Sequence, residues 1–158
     1  MPIFTAEKAL RTLRQTPIIL KSILQNVSQA QARKAIDGED GWTVVEIVCH
    51  LRDMEAVFFA RAQRMVEADY PHLPSIDQLE LVVKNDYAHQ DLKKTLTAFL
   101  QKRQAFIEWL ETLNDEQWKR RGIHAEYGEY SVVELAINNA VHDVNHIEQI
   151  LKALGDSA

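Results

Sequence analysis

The sequence predicts an all-α fold, a single bundle of four principal helices joined through one long crossover, and three observations predict it. Apolar residues recur at helical spacing along almost the whole chain, no run of alternating β-branched residues reads as a strand, and two helix starts carry the same capping signature. With 158 residues, 46% of them hydrophobic and 26% charged, the chain has the size and composition of one folded domain, 1–158, that builds its own core.

The first helix is expected over residues 5–26. Thr16-Pro17 in its middle reads as an N-cap followed by proline at the first helical position, so a kink or a split is expected there. Ser28 caps a short turn over residues 28–34. Trp42-Thr43-Val44-Val45-Glu46-Ile47 and Tyr130-Ser131-Val132-Val133-Glu134-Leu135 are nearly the same six residues, and both are capping boxes. Thr43 and Ser131 accept from the backbone of Glu46 and Glu134, each glutamate reaches back to its cap, and Trp42/Ile47 and Tyr130/Leu135 form hydrophobic staples. The two helices should cover residues 43–68, ending before Pro71, and 131–154, ending at Gly155. Between them, residues 70–86 contain Pro71 and Pro74 and read as the crossover, with a turn of helix at Gln78–Lys84, and a further helix fits residues 90–113.

Charge and cysteine content exclude several functions. A net charge of −5 and a pI near 5.7 give no positive field for a phosphate backbone, so nucleic acid is not an expected partner. Lys119-Arg120-Arg121, flanked by Asp115 and Glu116, reads as a solvated helix end. The amino-terminal residues lack the basic start and apolar run of a signal peptide, and residues 17–20 are too short to span a bilayer. A cytoplasmic location and no membrane partner are therefore expected. The single cysteine, Cys49, allows neither an intrachain disulfide nor a CxxC motif and reads as a packed residue. Metal chemistry must then use histidine and carboxylate.

Six histidines are present, and spacing sorts them. His142 and His146 are four residues apart, about 40° around a helix, so their imidazoles can converge on one ion. His50 is the candidate third ligand. It follows the Thr43 cap by seven residues and His142 follows the Ser131 cap by eleven, which puts each close to the azimuth of its own cap. Taken alone, His50 also fits a packed core position, since Ile47, Leu51, Met54 and Phe58 share its side of the helix. On the last helix the strongest apolar stripe, Val133, Ile137, Ala140, Val144, Ile147 and Leu151, points away from the histidines. Their own face carries Leu135, Asn138, Asn139 and Gln149, polar but weakly charged, as a solvated surface or the wall of a wet cleft would be. His72, His89 and His124 read as loop-surface residues, with the cleft mouth as the lesser alternative for His124, whose loop leads into the last helix.

The run Trp42-Thr43-x-x-Glu46-x-x-x-His50-Leu51-x-Asp53, followed by Ser131-x-x-Glu134 and His142-x-x-x-His146, resembles the DinB/YfiT-like family over almost the whole chain. The resemblance implies an antiparallel four-helix bundle, often a homodimer, with His50, His142 and His146 holding one divalent metal ion in an open site. It also implies thiol-dependent chemistry, in which transferases join low-molecular-weight thiols to electrophiles. The family's name carries no implication of DNA binding.

Three imidazoles with one position left open is the arrangement of catalytic zinc. Zinc and nickel are the first expectations for such a site, with iron and manganese next, and a low-molecular-weight thiol is a further expected cofactor. Asp53, Asn138 and Asp143 are candidates to hold the outer ring nitrogens of the ligands, with helix-surface polarity as the plainer reading of each. Arg61, within about 20° of His50 on the helix wheel, could steer an anionic substrate or simply snorkel to solvent. Two functions follow: a metal-dependent enzyme that activates a thiol (thiol S-transferase) or water (hydrolase) for a small-molecule substrate, or a non-catalytic metal-binding bundle.

Overall fold

The computed structural model describes residues 3–39 and 41–156. Four long helices, α1 (Ala6–Leu24), α3 (Val44–Glu67), α5 (Leu92–Glu111) and α7 (Val132–Asp156), form the bundle. Three short helices, α2 (Gln29–Lys34), α4 (Gln78–Lys84) and α6 (Asp115–Trp118), lie in the connections, and Tyr87–His89 forms a 3₁₀ turn. Among the described residues no helix is long and apolar enough to cross a membrane.

The helix starts follow from the local sequence. Thr43 and Glu46 form the expected reciprocal capping box, and Ser131 and Glu134 do the same at the head of α7. Asp91 caps α5 by accepting from the Lys94 backbone at 2.8 Å. α7 runs on through Gly155, where a stop was expected.

Contacts between helices set their directions. Glu55 meets Arg103, and Phe59 stacks on Phe106, so α3 and α5 run parallel. His50 meets His146, and Glu55 meets Asn139, so α7 runs against α3. Two consecutive principal helices can be parallel neighbours only if the chain travels back along the bundle between them, which residues 70–86 do.

The chain also forms strands that its sequence did not announce. β1 (His72–Leu73) pairs in parallel with β2 (Arg121–His124), which pairs antiparallel with β3 (Gly128–Ser131). At two to four residues each they are too short for alternation to be visible. The sheet packs closely on α3: a Cβ at Gly122 would lie 2.8 Å from Met65 Cγ and 3.0 Å from Leu73 Cδ1. Arg120, expected at a solvated helix end, instead donates to the Met65 and Ala68 carbonyls and so caps the end of α3.

A polar layer divides the core. Leu13, Phe58, Phe106 and Ala140 belong to one apolar cluster, and Leu20, Leu51, Phe99 and Ile147 to another. Between them in all four helices lie Thr16, Glu55, Arg103 and Asp143, every one buried. The Arg103 guanidinium, 0% exposed, grips Glu55 with two bonds of 2.7 Å and Asp143 with bonds of 2.8 and 3.0 Å. Asn139 donates to Glu55 at 3.1 Å and Thr16 to Asp143 at 2.6 Å.

This layer explains why α1 is not split at Pro17. Proline has no N–H, so the carbonyl four residues back, that of Leu13, loses its helical partner. That carbonyl accepts from Arg103 Nη1 at 3.0 Å instead. Thr16 caps nothing, because its hydroxyl serves Asp143, and the helix runs unbroken through the proline.

Candidate metal centre

α3 and α7 bring the three predicted histidines together. His50 and His142 present Nε2 atoms 3.0 Å apart, and His146 Nε2 lies 3.1 Å from that of His142. All three donor atoms fall within 4.8 Å of one another, and no fourth His, Cys, Asp or Glu joins the group among the described residues. His50 is buried, and the other two are half-buried. Trp42 meets the His50 ring edge-on at 4.8 Å and Phe58 meets that of His142 at 5.5 Å, so apolar surfaces confine the imidazoles.

The donor set fits a cation better than it fits hydrogen bonding. His146 Nδ1 donates to Gln149 Oε1 at 2.6 Å, which leaves its Nε2 a bare lone pair. His142 Nε2 faces two neighbouring nitrogens at once and has one in-plane position with which to bond them. An ion with bonds of about 2.0–2.1 Å at tetrahedral angles holds its donors roughly 3.3 Å apart, close to the two spacings that join His142 to His50 and to His146. Protonation is also resisted. Burial, with the neighbouring imidazoles adding to it, pushes His50 and His142 down to about 3, and burial lowers His146 as well. The three rings are therefore neutral lone-pair donors at pH 7.

The carboxylates proposed to support the ligands are engaged elsewhere. Asp53 accepts from Arg52, from Asn85 at 2.8 Å and from the Tyr87 hydroxyl at 2.8 Å, while the buried His50 Nδ1 has no partner. Asp143 belongs to the Arg103 layer. It lies between the two ligands in sequence but holds their helix rather than their rings. Gln149, placed by the sequence on the histidine face without a role, is the residue that orients a ligand ring. An i, i+3 spacing from His146 was the available signal.

The apolar stripe expected on α7 is only partly buried. Val144 and Leu151 are 59% and 50% exposed, whereas Asn139 and Asp143 are buried. Arg103 is the reason: it draws two polar side chains inward and turns the helix relative to its hydrophobic pattern. Cys49 is fully buried in α3, its thiol pushed up to about 11 mainly by burial, and it is no ligand. His72 and His89 are exposed, as expected.

A cleft of about 160 Å³ opens beside His142. Met54, Phe58 and Arg61 of α3 line one side, Asn138, Val141 and Asn145 of α7 another, and His124 of β2 and Tyr127 of the β2–β3 turn close it. His124 is thus at the cleft, and Arg61 and Asn138 share it. A larger cavity of about 530 Å³, between the amino-terminal residues and α6, contains none of the three histidines.

A helical bundle with three neutral imidazoles converging beside a cleft defines a class of metal-site proteins, and comparison places the chain within a family. Residues 12–150 match the model of the DinB superfamily, and the chain belongs to that superfamily. It is similar to the Bacillus subtilis (strain 168) protein named "Putative metal-dependent hydrolase YfiT", at 25% identity over 154 residues, covering 94% of this chain and 85% of that one. The solved structure of Bacillus subtilis YfiT, described as "a probable metal-dependent hydrolase with an unusual four-helix bundle topology", superposes with a TM-score of 0.85 at 21% identity, over 94% of this chain and 85% of that one. At that identity the superposition establishes the fold, and the parallel α3–α5 pair shows how this bundle departs from a simple up-and-down order.

Proposed function

We propose that this protein is a metal-dependent hydrolase of small molecules, its divalent ion held by Nε2 of His50, His142 and His146. One observation carries the reading: three lone-pair nitrogens converge, and one of their rings, His142, lines an open cleft. Bound by these three residues, a divalent ion would supply Lewis-acid chemistry, activating water near neutral pH and polarising a carbonyl. The chain's own residues do the rest. Burial keeps the imidazoles unprotonated, Gln149 fixes the His146 tautomer, and the Arg103 layer locks α3 to α7 at the level of the ligands.

The name of the similar Bacillus subtilis protein supports hydrolysis. Thiol transfer, which the family resemblance implies, would need a diffusible thiol, because Cys49 is buried away from the cleft. Chromogenic carboxylic esters and amides, assayed with zinc, nickel, manganese or iron and with and without millimolar cysteine, separate the readings. The proposal expects turnover without thiol that vanishes on chelation and in a His142→Ala/His146→Ala variant. Turnover that requires the thiol would replace hydrolysis by transfer, and turnover indifferent to metal would overturn both.

A further inference from the structure

The cleft beside His142 also contains an arginine whose charge the protein leaves unanswered. Five arginines are buried or half-buried: Arg52, Arg61, Arg103, Arg120 and Arg121. Arg52 pairs with Asp53, Arg103 with Glu55 and Asp143, Arg120 with Asp69, and Arg121 with Glu129 and Glu134. Arg61 has no such carboxylate among the described residues. Its Nη2 donates to the Pro74 carbonyl at 2.8 Å, which fixes the guanidinium without neutralising it. Glu126 lines the same cleft and does not pair with it. The bond to Pro74 lies on the exposed side of the cleft, so an anion that enters meets the guanidinium without having to displace a carboxylate.

His124 adds a second donor. Its Nδ1 accepts from the backbone N–H groups of Glu126 at 3.1 Å and Tyr127 at 3.3 Å, so the proton of the neutral ring sits on Nε2. No protein acceptor takes that proton among the described residues. The ring is 6% exposed and is held by stacking on Tyr127 at 4.5 Å. The β2–β3 hairpin therefore places a fixed N–H donor in the cleft that also contains Arg61.

We propose that Arg61 and His124 form a carboxylate subsite, and that the substrate is a small acid whose anionic end is held there while its reacting end faces His142. The inference rests on the hydrolase reading for that second half only. A guanidinium fork matches the two oxygens of a carboxylate, and the histidine N–H gives a third direction of contact. The cleft, at about 160 Å³, is well below the roughly 300–1,000 Å³ of sites for drug-sized ligands, so the acid is short.

Calorimetric titration with succinate tests the subsite apart from the metal. It is run on metal-loaded protein and on the metal-free His142→Ala/His146→Ala variant, each with Arg61 intact, as Arg61→Gln and as Arg61→Lys. Arg64→Gln, one turn on and exposed, is the control. Loss of charge-assisted hydrogen bonds should weaken succinate about tenfold or more in Arg61→Gln, in both backgrounds, with Arg61→Lys intermediate and Arg64→Gln unchanged. Succinamide, the neutral analogue, should bind none of them. Succinate binding that survives Arg61→Gln, or that needs the metal and ignores Arg61, would overturn the subsite while leaving the metal centre standing. Arg61-dependent binding in a protein that takes up no metal would support the subsite and sink the hydrolase. Inorganic phosphate binding more tightly than succinate would overturn the assignment to carboxylates.

Discussion

Replacing Arg103 by methionine removes the only cation of the buried layer and leaves the Glu55 and Asp143 carboxylates facing each other, each 1% exposed. Breaking a buried charge pair by deleting one partner costs about 3–5 kcal/mol, because the remaining charge is uncompensated. The Leu13 carbonyl adds to this. Pro17 cannot bond to it, so without Arg103 it becomes a buried unsatisfied acceptor, at about 1–3 kcal/mol. The sum approaches the 5–15 kcal/mol of a typical domain, in rough terms, and Arg103→Met should be close to the limit of folding. At roughly 2–4 °C per kcal/mol for a chain of this size, the melting temperature should fall by about 10–25 °C, followed by circular dichroism at 222 nm. Adding Glu55→Gln and Asp143→Asn removes the stranded charges and should recover at least about 2 kcal/mol in urea titrations. A single variant within about 1 kcal/mol of the wild type, or a triple variant no better than the single, would refute the claim that this layer binds the four helices together.

Two further outcomes follow from the same structure. Pro17→Ala should change stability by no more than about 1 kcal/mol, since the Leu13 carbonyl already has a donor; a gain above about 2 kcal/mol in urea unfolding would mean that the carbonyl was unsatisfied. The metal-free protein should lose stability in acid, because the unfolded chain takes up protons near pH 6.5 while folded His50 and His142 refuse them until about 3. Stability present above pH 6.5 is then lost as pH falls toward 3, at up to roughly 1.4 kcal/mol per pH unit for each residue. The check is urea unfolding in chelator at pH 7.5 and 5.5, where the His142→Ala/His146→Ala variant should show the shallower dependence.

The helical framework was legible because its signals are local. A capping box needs only residues i and i+3, and those of Thr43 and Ser131 position the heads of α3 and α7 and with them all three histidines. The crossover was legible from Pro71 and Pro74. What could not be read depends on partners distant in sequence. Pro17 looked like a break because its compensation comes from Arg103 on another helix. Asp53 and Asp143 looked like supports for the ligands because they neighbour them along the chain, whereas Tyr87 and Arg103 claim them in space. The β2–β3 hairpin, which brings His124 to the cleft, is too short for its pattern to show. Arg61 could be placed on the histidine side of α3 by periodicity, but its lack of a carboxylate partner is a property of the fold.

The most direct test of the account is the metal content of the purified protein beside the His142→Ala/His146→Ala variant, expressed and purified in the same way and measured by elemental analysis. The account predicts about one divalent ion per chain in the native protein and almost none in the variant, with both folded by circular dichroism. Equal metal in the two proteins, or none in either after reconstitution with zinc and nickel, would contradict the three-histidine site on which the proposed hydrolysis depends.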